Sequence, residues 1–244
     1  MTQVLGGQAL LLARMLVSLW HERPTRRSVL EQVVELGLGS LGLVVSGMAF
    51  FGTVIVTIAW AQARKYTGNI TVVGPAYLEL IIREFAPLLA GLLAAARQAA
   101  AQSAELGAMS VNEQVEALEM SGVEPLVELV APRFLASLFA VPALTIIGAL
   151  ASVGSAVATV DWVFGADGTS FANTRFLGAA DVVCAFLKAV LMGAYIPLAA
   201  AYRGLNARGG AAAVGEAVTQ GVVEASFGCL AIDFLVAAFF LPLT

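Results

Sequence analysis

Two long stretches of the 244-residue chain, 36–63 and 134–160, contain no Asp, Glu, Lys or Arg. A helix crosses the hydrocarbon core of a bilayer with roughly 20 consecutive apolar residues, and each stretch exceeds that length. Only 12% of all residues are charged, whereas soluble domains contain roughly 25%. A water-soluble domain of this size has no interior large enough for so much apolar surface. The chain is therefore predicted to be an integral membrane protein.

Three further apolar segments complete a prediction of five transmembrane helices. Residues 182–202 of the fourth segment contain one charged residue, Lys188, whereas the second segment contains four and the fifth two, and these two segments are the weakest on hydropathy. The apolar runs are continuous, which differs from the alternating pattern of membrane β-strands. The predicted fold class is all-α, with one membrane domain over residues 1–244 and no soluble domain. The predicted spans are 36–63, 75–101, 134–160, 181–202 and 218–243.

Residues 4–27 are predicted to form an interfacial helix at the cytoplasmic surface. The apolar stretch 4–20 is short, is interrupted by Arg14 and is followed by a basic segment, which suits a helix lying in the headgroup layer. Arg14 follows apolar residues instead of preceding them, and no small-residue cleavage site comes after the stretch. The segment therefore does not resemble a cleaved signal peptide. A sixth, short span is the alternative interpretation.

The distribution of basic residues predicts a cytoplasmic N-terminus. This orientation places eight Lys and Arg on the inner side, three on the outer side and two in the membrane, which accounts for all 13. Basic residues concentrate on the cytoplasmic side of membrane proteins. Five spans then leave the C-terminus outside. The inner residues are Arg14, Arg23, Arg26, Arg27, Arg97, Arg133, Arg203 and Arg208, and the outer residues are Arg64, Lys65 and Arg175.

Missing residue types disfavour enzymatic function. Neither lysine, Lys65 or Lys188, follows a glycine, so the chain contains no G-x-x-x-x-G-K-[ST] phosphate loop for ATP. The single histidine, His21, lies in the basic segment after the first apolar stretch, which leaves no basis for a His-based triad or zinc site. The sequence contains no basic patch with interleaved aromatic residues, so a nucleic acid partner is not indicated. The chain is expected to bind no cofactor or metal itself.

The segment between the second and third predicted spans is acidic and lies on the inner side. Ser110 and Glu113 fit a capping box, and Gly122 suits a helix C-terminus, so a short helix is predicted over about residues 110–122. This helix either docks into a soluble partner or is a solvated connection that packs its apolar stripe on its own chain. The residues alone favour neither interpretation. The apolar stripe consists of Val111, Val115 and Leu118.

Four charged residues are predicted to lie in the membrane at one depth, roughly 10–15 Å below the outer surface at 1.5 Å per residue. They are Arg83, Glu84, Lys188 and Asp233. Charges in the bilayer are costly and face a cavity or a partner. They either line a cavity that contacts a lipid headgroup or form ion pairs such as Lys188 with Asp233. An ion-coupled secondary transporter that uses Lys188 and Asp233 is an alternative function, and a membrane scaffold without cargo is another.

Small residues recur at every fourth position of the third predicted span. Such a row lets two helices approach closely, and packing within the chain is preferred over a dimer contact. Prolines inside three of the spans are expected to bend them. The small residues are Gly148, Ser152 and Ala156, and the prolines are Pro87, Pro142 and Pro197.

Four ordered motifs over residues 79–160 resemble the MlaE/YrbE permease family. Arg83-Glu84-Phe85-Ala86-Pro87 is similar to its R-E-x-x-P entry to the second span, and Ala104–Met109 to its A-E-[IL]-G-x-M motif. Residues 113–126 are similar to its E-Q-x-x-A-L core, which ends in V-[DE]-P-[LI], and Pro132-Arg133 with Pro142–Thr145 to its P-R…P-L-L-T pattern. The chain departs from the family at Ala96–Ala99, where it keeps Arg97 but lacks the glycines of G-R-x-G.

This resemblance implies that two copies form the membrane core of an ABC transporter in the bacterial inner membrane. Each copy would hold a separate cytoplasmic ATPase, which binds ATP and Mg, through a coupling helix, and an MCE-domain protein would lie outside. The cargo would be phospholipid or a related lipid. The implied ATPase-coupling residues are Glu105, Gly107, Met109, Glu113, Gln114, Glu116, Leu118, Glu119, Glu124 and Pro125. The implied lipid-cavity and intramembrane polar residues are Arg83, Glu84, Pro87, Arg97, Lys188 and Asp233.

Overall fold

The computed structural model describes residues 2–21, 23–66, 74–168, 172 and 177–240, and these residues form helices joined by turns, without β-strands. Two five-residue π turns, Ile81–Phe85 and Leu126–Val130, lead into the fourth and sixth helices. The predicted outer residue Arg175 and the predicted span residues 241–243 lie outside the described residues. The helices are α1 (Thr2–His21), α2 (Arg26–Tyr66), α3 (Gly74–Leu80), α4 (Ala86–Val111), α5 (Gln114–Met120), α6 (Ala131–Trp162), α7 (Ala179–Leu205) and α8 (Ala211–Phe240).

Five helices in the described part of the chain are long and apolar enough to cross a membrane, which confirms the all-α membrane fold class. They are α1, α2, α6 with its π turn, α7 and α8. Four predicted spans coincide with α2, α6, α7 and α8. The predicted span 75–101 is helical but falls outside this set, because charged and amide side chains lower its hydropathy. The interfacial placement of α1 stays a prediction, since length and composition alone also admit it as a span.

Helix α4 lies at the centre of the bundle and contacts α2, α6, α7 and α8. Most of its buried residues are small, and five of them are alanine, which lets four neighbours approach its backbone closely. Larger side chains from the neighbours, including Met48 of α2 and Met192 of α7, complete this core. A span that is weak on hydropathy is thus placed where Gln98, Gln102 and Ser103 are buried against protein. The buried alanines are Ala86, Ala90, Ala94, Ala95 and Ala99.

Helices α2 and α6 pack along each other through the predicted row of small residues. A Cβ added at Gly148 would lie 3.0 Å from Met48 Cγ, and one added at Gly52 would overlap the carbonyl oxygen of Ser152. Ser155 adds a hydrogen bond from its Oγ to the carbonyl of Ala49 at 2.8 Å. The row therefore serves packing within the chain, as predicted.

Both π turns are followed by the dipeptide Ala-Pro. The alanine donates its N–H to the carbonyl five residues earlier, from Ala86 to Ile81 and from Ala131 to Leu126. The next residue, Pro87 or Pro132, has no N–H, and in a regular helix its ring would clash with the carbonyl four residues earlier. The wider π turn accommodates each proline at the start of a long helix.

Exposed tryptophans lie at opposite ends of the bundle. Trp20, near the end of α1, is 89% exposed, and Trp162, at the end of α6, is 86% exposed. Tryptophan side chains concentrate at the two membrane–water interfaces. Following the predicted orientation, we call the end of the bundle that carries α5 the inner end and the opposite end the outer end.

Candidate functional site

Five charged side chains form a continuous network in the outer half of the bundle, which we call the outer charge network. Arg83 donates from Nη1 to Asp181 Oδ1 at 3.2 Å, and its Nε lies 3.3 Å from Glu84 Oε1. Glu84 pairs through Oε2 with Lys188, whose Nζ also lies 2.9 Å from Asp233 Oδ1. The side chain of Lys188 is fully buried. The network joins the first π turn to α7 and α8.

The ion pair predicted between Lys188 and Asp233 is therefore present in the structure. Arg83 is engaged by two carboxylates, so a lipid phosphate at Arg83 would compete with Asp181 or Glu84. The network contains three carboxylates and two cations, and it compensates most of its charge internally. A headgroup role for these side chains stays a prediction.

Asp181 is the network member that sequence reasoning missed. Its second oxygen, Oδ2, accepts the backbone N–H of Gly178 at 2.8 Å and so caps the start of α7. A sequence signal for it exists, because Asp181, Lys188, Tyr195 and Tyr202 recur every seven residues. This spacing places four polar side chains on one face of α7, and a face of that kind cannot point to lipid.

A second polar cluster, the inner polar cluster, ties α1 to α7 and α8. Gln8 donates from Nε2 to Glu224 Oε2 at 3.1 Å and accepts from the hydroxyl of Tyr195 at 3.2 Å. Arg203 donates from Nε to Glu224 Oε1 at 2.8 Å. Glycine permits the close approach here, since a Cβ at Gly228 would overlap the Tyr195 ring. The apolar sequence around Gln8 contains no pattern that predicts this contact.

We expect Gln8→Leu to loosen α1 from the bundle, because it removes two interhelical hydrogen bonds, each worth about 1 kcal/mol. Backbone hydrogen exchange of α1, measured by mass spectrometry on the full chain in nanodiscs, should become several-fold faster. Gln3→Leu is the matched control, because Gln3 is exposed on the same helix. Unchanged exchange in Gln8→Leu would show that the inner polar cluster does not hold α1.

The predicted inner helix exists as α5 but is shorter than predicted. Helix α4 continues to Val111, and Ser110 donates its hydroxyl to the carbonyls of Leu205 and Ala207, both at 3.2 Å. The capping box predicted at Ser110 and Glu113 is therefore wrong, since the serine ties α4 to the turn after α7 instead. The predicted C-terminal glycine is confirmed, because Gly122 has φ +77° directly after α5.

The two faces of α5 have separate surroundings. Val115 and Leu118 pack against the buried cluster around Met15 and Leu106, so much of the predicted apolar stripe is covered by the chain's own residues. The acidic residues Glu113, Glu116 and Glu119 are exposed on the other side. Glu113 also has φ +58°, a left-handed conformation that is uncommon for a residue other than glycine. The chain therefore presents an acidic face at its inner end.

The other predicted coupling residues are also divided between exposed positions and positions that pack inside the chain. Glu105 pairs with Arg133 Nη2 at 2.8 Å, and Arg133 Nη1 donates to the carbonyl of Leu129 at 2.5 Å. Glu105 thus ties α4 to α6 beside the second π turn. Gln114 and Glu124 are exposed, whereas Gly107 and Pro125 are buried and Met109 packs on the inner cluster of apolar side chains.

Arg97 lies apart from the outer charge network. It follows Arg83 by 14 residues, about 21 Å along a helix at 1.5 Å per residue. Its guanidinium contacts α2 at Gly39, where an added Cβ would lie 3.2 Å from Arg97 Nε. The predicted set of intramembrane polar residues is therefore divided between the two halves of the bundle.

A family of membrane permeases matches most of this chain. The family profile described as Permease MlaE matches residues 29–239. The chain is 30% identical over 214 residues to the intermembrane phospholipid transport system permease protein MlaE of Haemophilus influenzae, with 86% of this chain and 81% of that protein covered. It is also 30% identical over 214 residues to a probable ABC transporter permease protein of Rickettsia prowazekii, with 87% and 82% covered.

A plant protein is also similar. The chloroplastic protein TRIGALACTOSYLDIACYLGLYCEROL 1 of Arabidopsis thaliana is 31% identical over 239 residues, which cover 97% of this chain and 66% of that protein. The chain thus spans somewhat less than two thirds of the plant protein's length and about four fifths of the two bacterial proteins.

Proposed function

Because this chain belongs to the MlaE permease family, we propose that it is the membrane subunit of an ABC-type transporter that moves phospholipid or a related lipid. In this proposal two copies form the membrane core, and each binds a separate cytoplasmic ATPase at its inner end. An MCE-domain protein on the outer side exchanges lipid with the pair. The phospholipid named for the Haemophilus influenzae relative supports this cargo class.

The exposed acidic face of α5 is the observation that supports coupling to an ATPase. Helix α5 follows directly on α4 and is connected by one short turn to the second π turn and α6. The Glu105–Arg133 pair joins the same two long helices close to α5. A push on α5 therefore acts on α4 and α6 together. ATP-driven closure of the two ATPases would supply this push.

The cargo in this proposal lies between the two copies, next to α2 and the first π turn. Exposed apolar side chains on α2, among them Leu43, Phe50 and Val54, would contact acyl chains. Phe51 of α2 packs against Phe85 of the π turn, with ring centroids 5.0 Å apart. A movement of α2 is thus linked to the segment that carries Arg83 and Glu84.

We expect the double variant Glu116→Lys/Glu119→Lys to lose ATPase binding while the membrane subunit still folds. Both side chains are exposed, so reversing their charge leaves the core intact. If the ATPase binds this acidic face through basic residues, the reversal turns attraction into repulsion, which costs several kcal/mol at an interface. Affinity purification from native membranes, with mass spectrometry of proteins and lipids, should recover at least about tenfold less ATPase.

The matched control is Glu216→Lys, which reverses an exposed acid near the inner end of α8 and should leave ATPase recovery unchanged. Equal recovery of the ATPase with the double variant and the wild type would contradict the role of α5. Recovery of the wild-type chain without any ATPase would contradict the ABC transporter proposal itself.

The ion-coupled secondary transporter is the second candidate, supported by the Lys188–Asp233 pair at 2.9 Å. It predicts lipid or ion movement in liposomes that contain this chain alone, driven by a proton or sodium gradient. The side chain of Lys188 is fully buried and that of Asp233 is only 16% exposed, which makes this candidate the weaker one.

A further inference from the structure

A small cavity lies between α2 and α4 in the inner half of the bundle. Its volume is about 30 Å³, and its lining includes Ser40 of α2 and Gln98 and Gln102 of α4. All three side chains are almost completely buried. The cavity is therefore polar, although it lies between two helices of a membrane bundle.

Two of these side chains lack a hydrogen-bond partner among the described residues. They are Ser40, through its hydroxyl, and Gln102, through both the oxygen and the nitrogen of its amide. Gln98 is different, because it accepts from Ser137 at 3.0 Å and donates toward the carbonyl of Leu36 at 3.5 Å. An unpartnered buried amide or hydroxyl costs about 1–3 kcal/mol, so three unpartnered atoms around one cavity indicate a ligand that satisfies them.

We propose that this cavity binds water, which bridges Gln102 of α4 to Ser40 of α2. A cavity needs roughly 10–15 Å³ of accessible volume to hold one water molecule, together with two to four polar partners. The volume here is sufficient, and the amide oxygen, amide nitrogen and hydroxyl supply three partners. The water accepts a hydrogen bond from Gln102 Nε2, and the amide oxygen and the hydroxyl bind its protons.

The charged residues around the cavity favour water over a cation. Glu35 and Glu105 line it together with Arg97, and Glu105 is already paired with Arg133. The positive charge of Arg97 offsets that of Glu35, so the lining offers little net negative charge to attract a metal ion. A neutral molecule that both donates and accepts hydrogen bonds satisfies the three unpartnered atoms of Ser40 and Gln102.

The proposed water site affects how firmly α2 is attached to α4. Along α6, α2 is fixed by direct contacts of glycine and serine residues. Toward α4, the polar contact at Ser40 passes through water, which can exchange for other water at small cost. Helix α2 is therefore more easily separated from α4 at the level of Ser40 than from α6 at the level of Gly52. The water site itself does not depend on the proposed transport function.

The direct test is water-edited solid-state NMR of the full chain in lipid bilayers, with ¹⁵N-labelled glutamine side chains. Magnetisation from water should reach the Gln102 amide about as fast as that of exposed Gln3 and several-fold faster than that of Gln8, which is buried and bonded to protein. Gln102→Met identifies the resonance by its loss. Transfer to Gln102 as slow as to Gln8 would overturn the proposal.

Thermal stability supplies an independent measurement. If water is bound, Gln102→Met removes its hydrogen bonds to the amide and lowers the Tm by about 2–4 °C. Ser40→Ala then lowers the Tm less in the Gln102→Met background than in the wild type. A dry cavity gives the opposite sign, because the methionine removes an unpartnered amide and the Tm rises. A Tm that depends on sodium versus choline as the salt cation would also overturn the proposal, since it would indicate a cation site.

Discussion

With Lys188→Met, we expect most protein molecules to fail to reach a stable fold. The substitution keeps the length of the side chain but leaves Glu84 and Asp233 facing each other without the buried cation between them. Removing one partner of a buried ion pair costs about 3–5 kcal/mol, a large part of a typical total stability of about 5–15 kcal/mol. The yield of monodisperse protein in mild detergent and its Tm measure this effect.

Arg208→Met is the matched control, because it removes an exposed cation from the inner turn after α7 and should leave the yield unchanged. A yield of Lys188→Met equal to that of the control would contradict the structural role of the pair. The triple variant Lys188→Met/Glu84→Gln/Asp233→Asn should recover folding, since no unpaired carboxylate remains beside residue 188. If this variant also transports lipid at the wild-type rate, the Lys188 pairs act in folding alone.

Gly52→Ala is expected to separate α2 from α6 and to destabilise the protein by about 1–3 kcal/mol or more. The added methyl group would overlap the backbone oxygen of Ser152 and lie 2.6 Å from Ser155 Oγ. A backbone atom cannot turn away as a flexible side chain can, so the helices themselves must move apart. The Tm and the protease resistance of the full chain in nanodiscs should both fall.

Gly42→Ala is the control for this prediction, because it makes the same change ten residues earlier on α2, where no heavy atom beyond the adjoining residues of the helix lies within 4 Å of the added Cβ in the described part of the chain. It should be neutral or slightly stabilising, since alanine favours helix over glycine by about 1 kcal/mol. Equal Tm values for the two variants would show that α2 and α6 are not in close contact at Gly52.

The spans were predictable from sequence because the free-energy cost of placing a charge in lipid depends on the residues of the segment itself. The uncharged runs at 36–63 and 134–160 follow from it directly, and so does the prediction that Lys188 either lines a cavity or pairs with an acid. The second span is the informative exception. Its hydropathy is weak because four helices surround α4, and single-sequence hydropathy does not register which neighbours a helix will have.

The polar contacts were less predictable, because they depend on which helix faces meet. Asp181 could have been found from its seven-residue spacing to Lys188, whereas the pairing of Gln8 with Glu224 joins residues 216 positions apart and has no local signal. The π turns also required the structure. Pro87 predicts a disturbed helix, but the sequence does not distinguish a kink from a π turn. Ser110 shows the limit of motif reading, since its hydroxyl donates to two carbonyls after α7 instead of capping α5.

The order of the outer charge network along the chain has a consequence for biosynthesis. Synthesis proceeds from the N-terminus, so α7 carries Lys188 into the bilayer before α8 with Asp233 can follow. Of the two acids that contact Lys188, only Glu84 precedes it in the chain. Glu84 is therefore the side chain that can neutralise the incoming lysine during insertion, and Asp233 completes the pairing only after the last helix has been made.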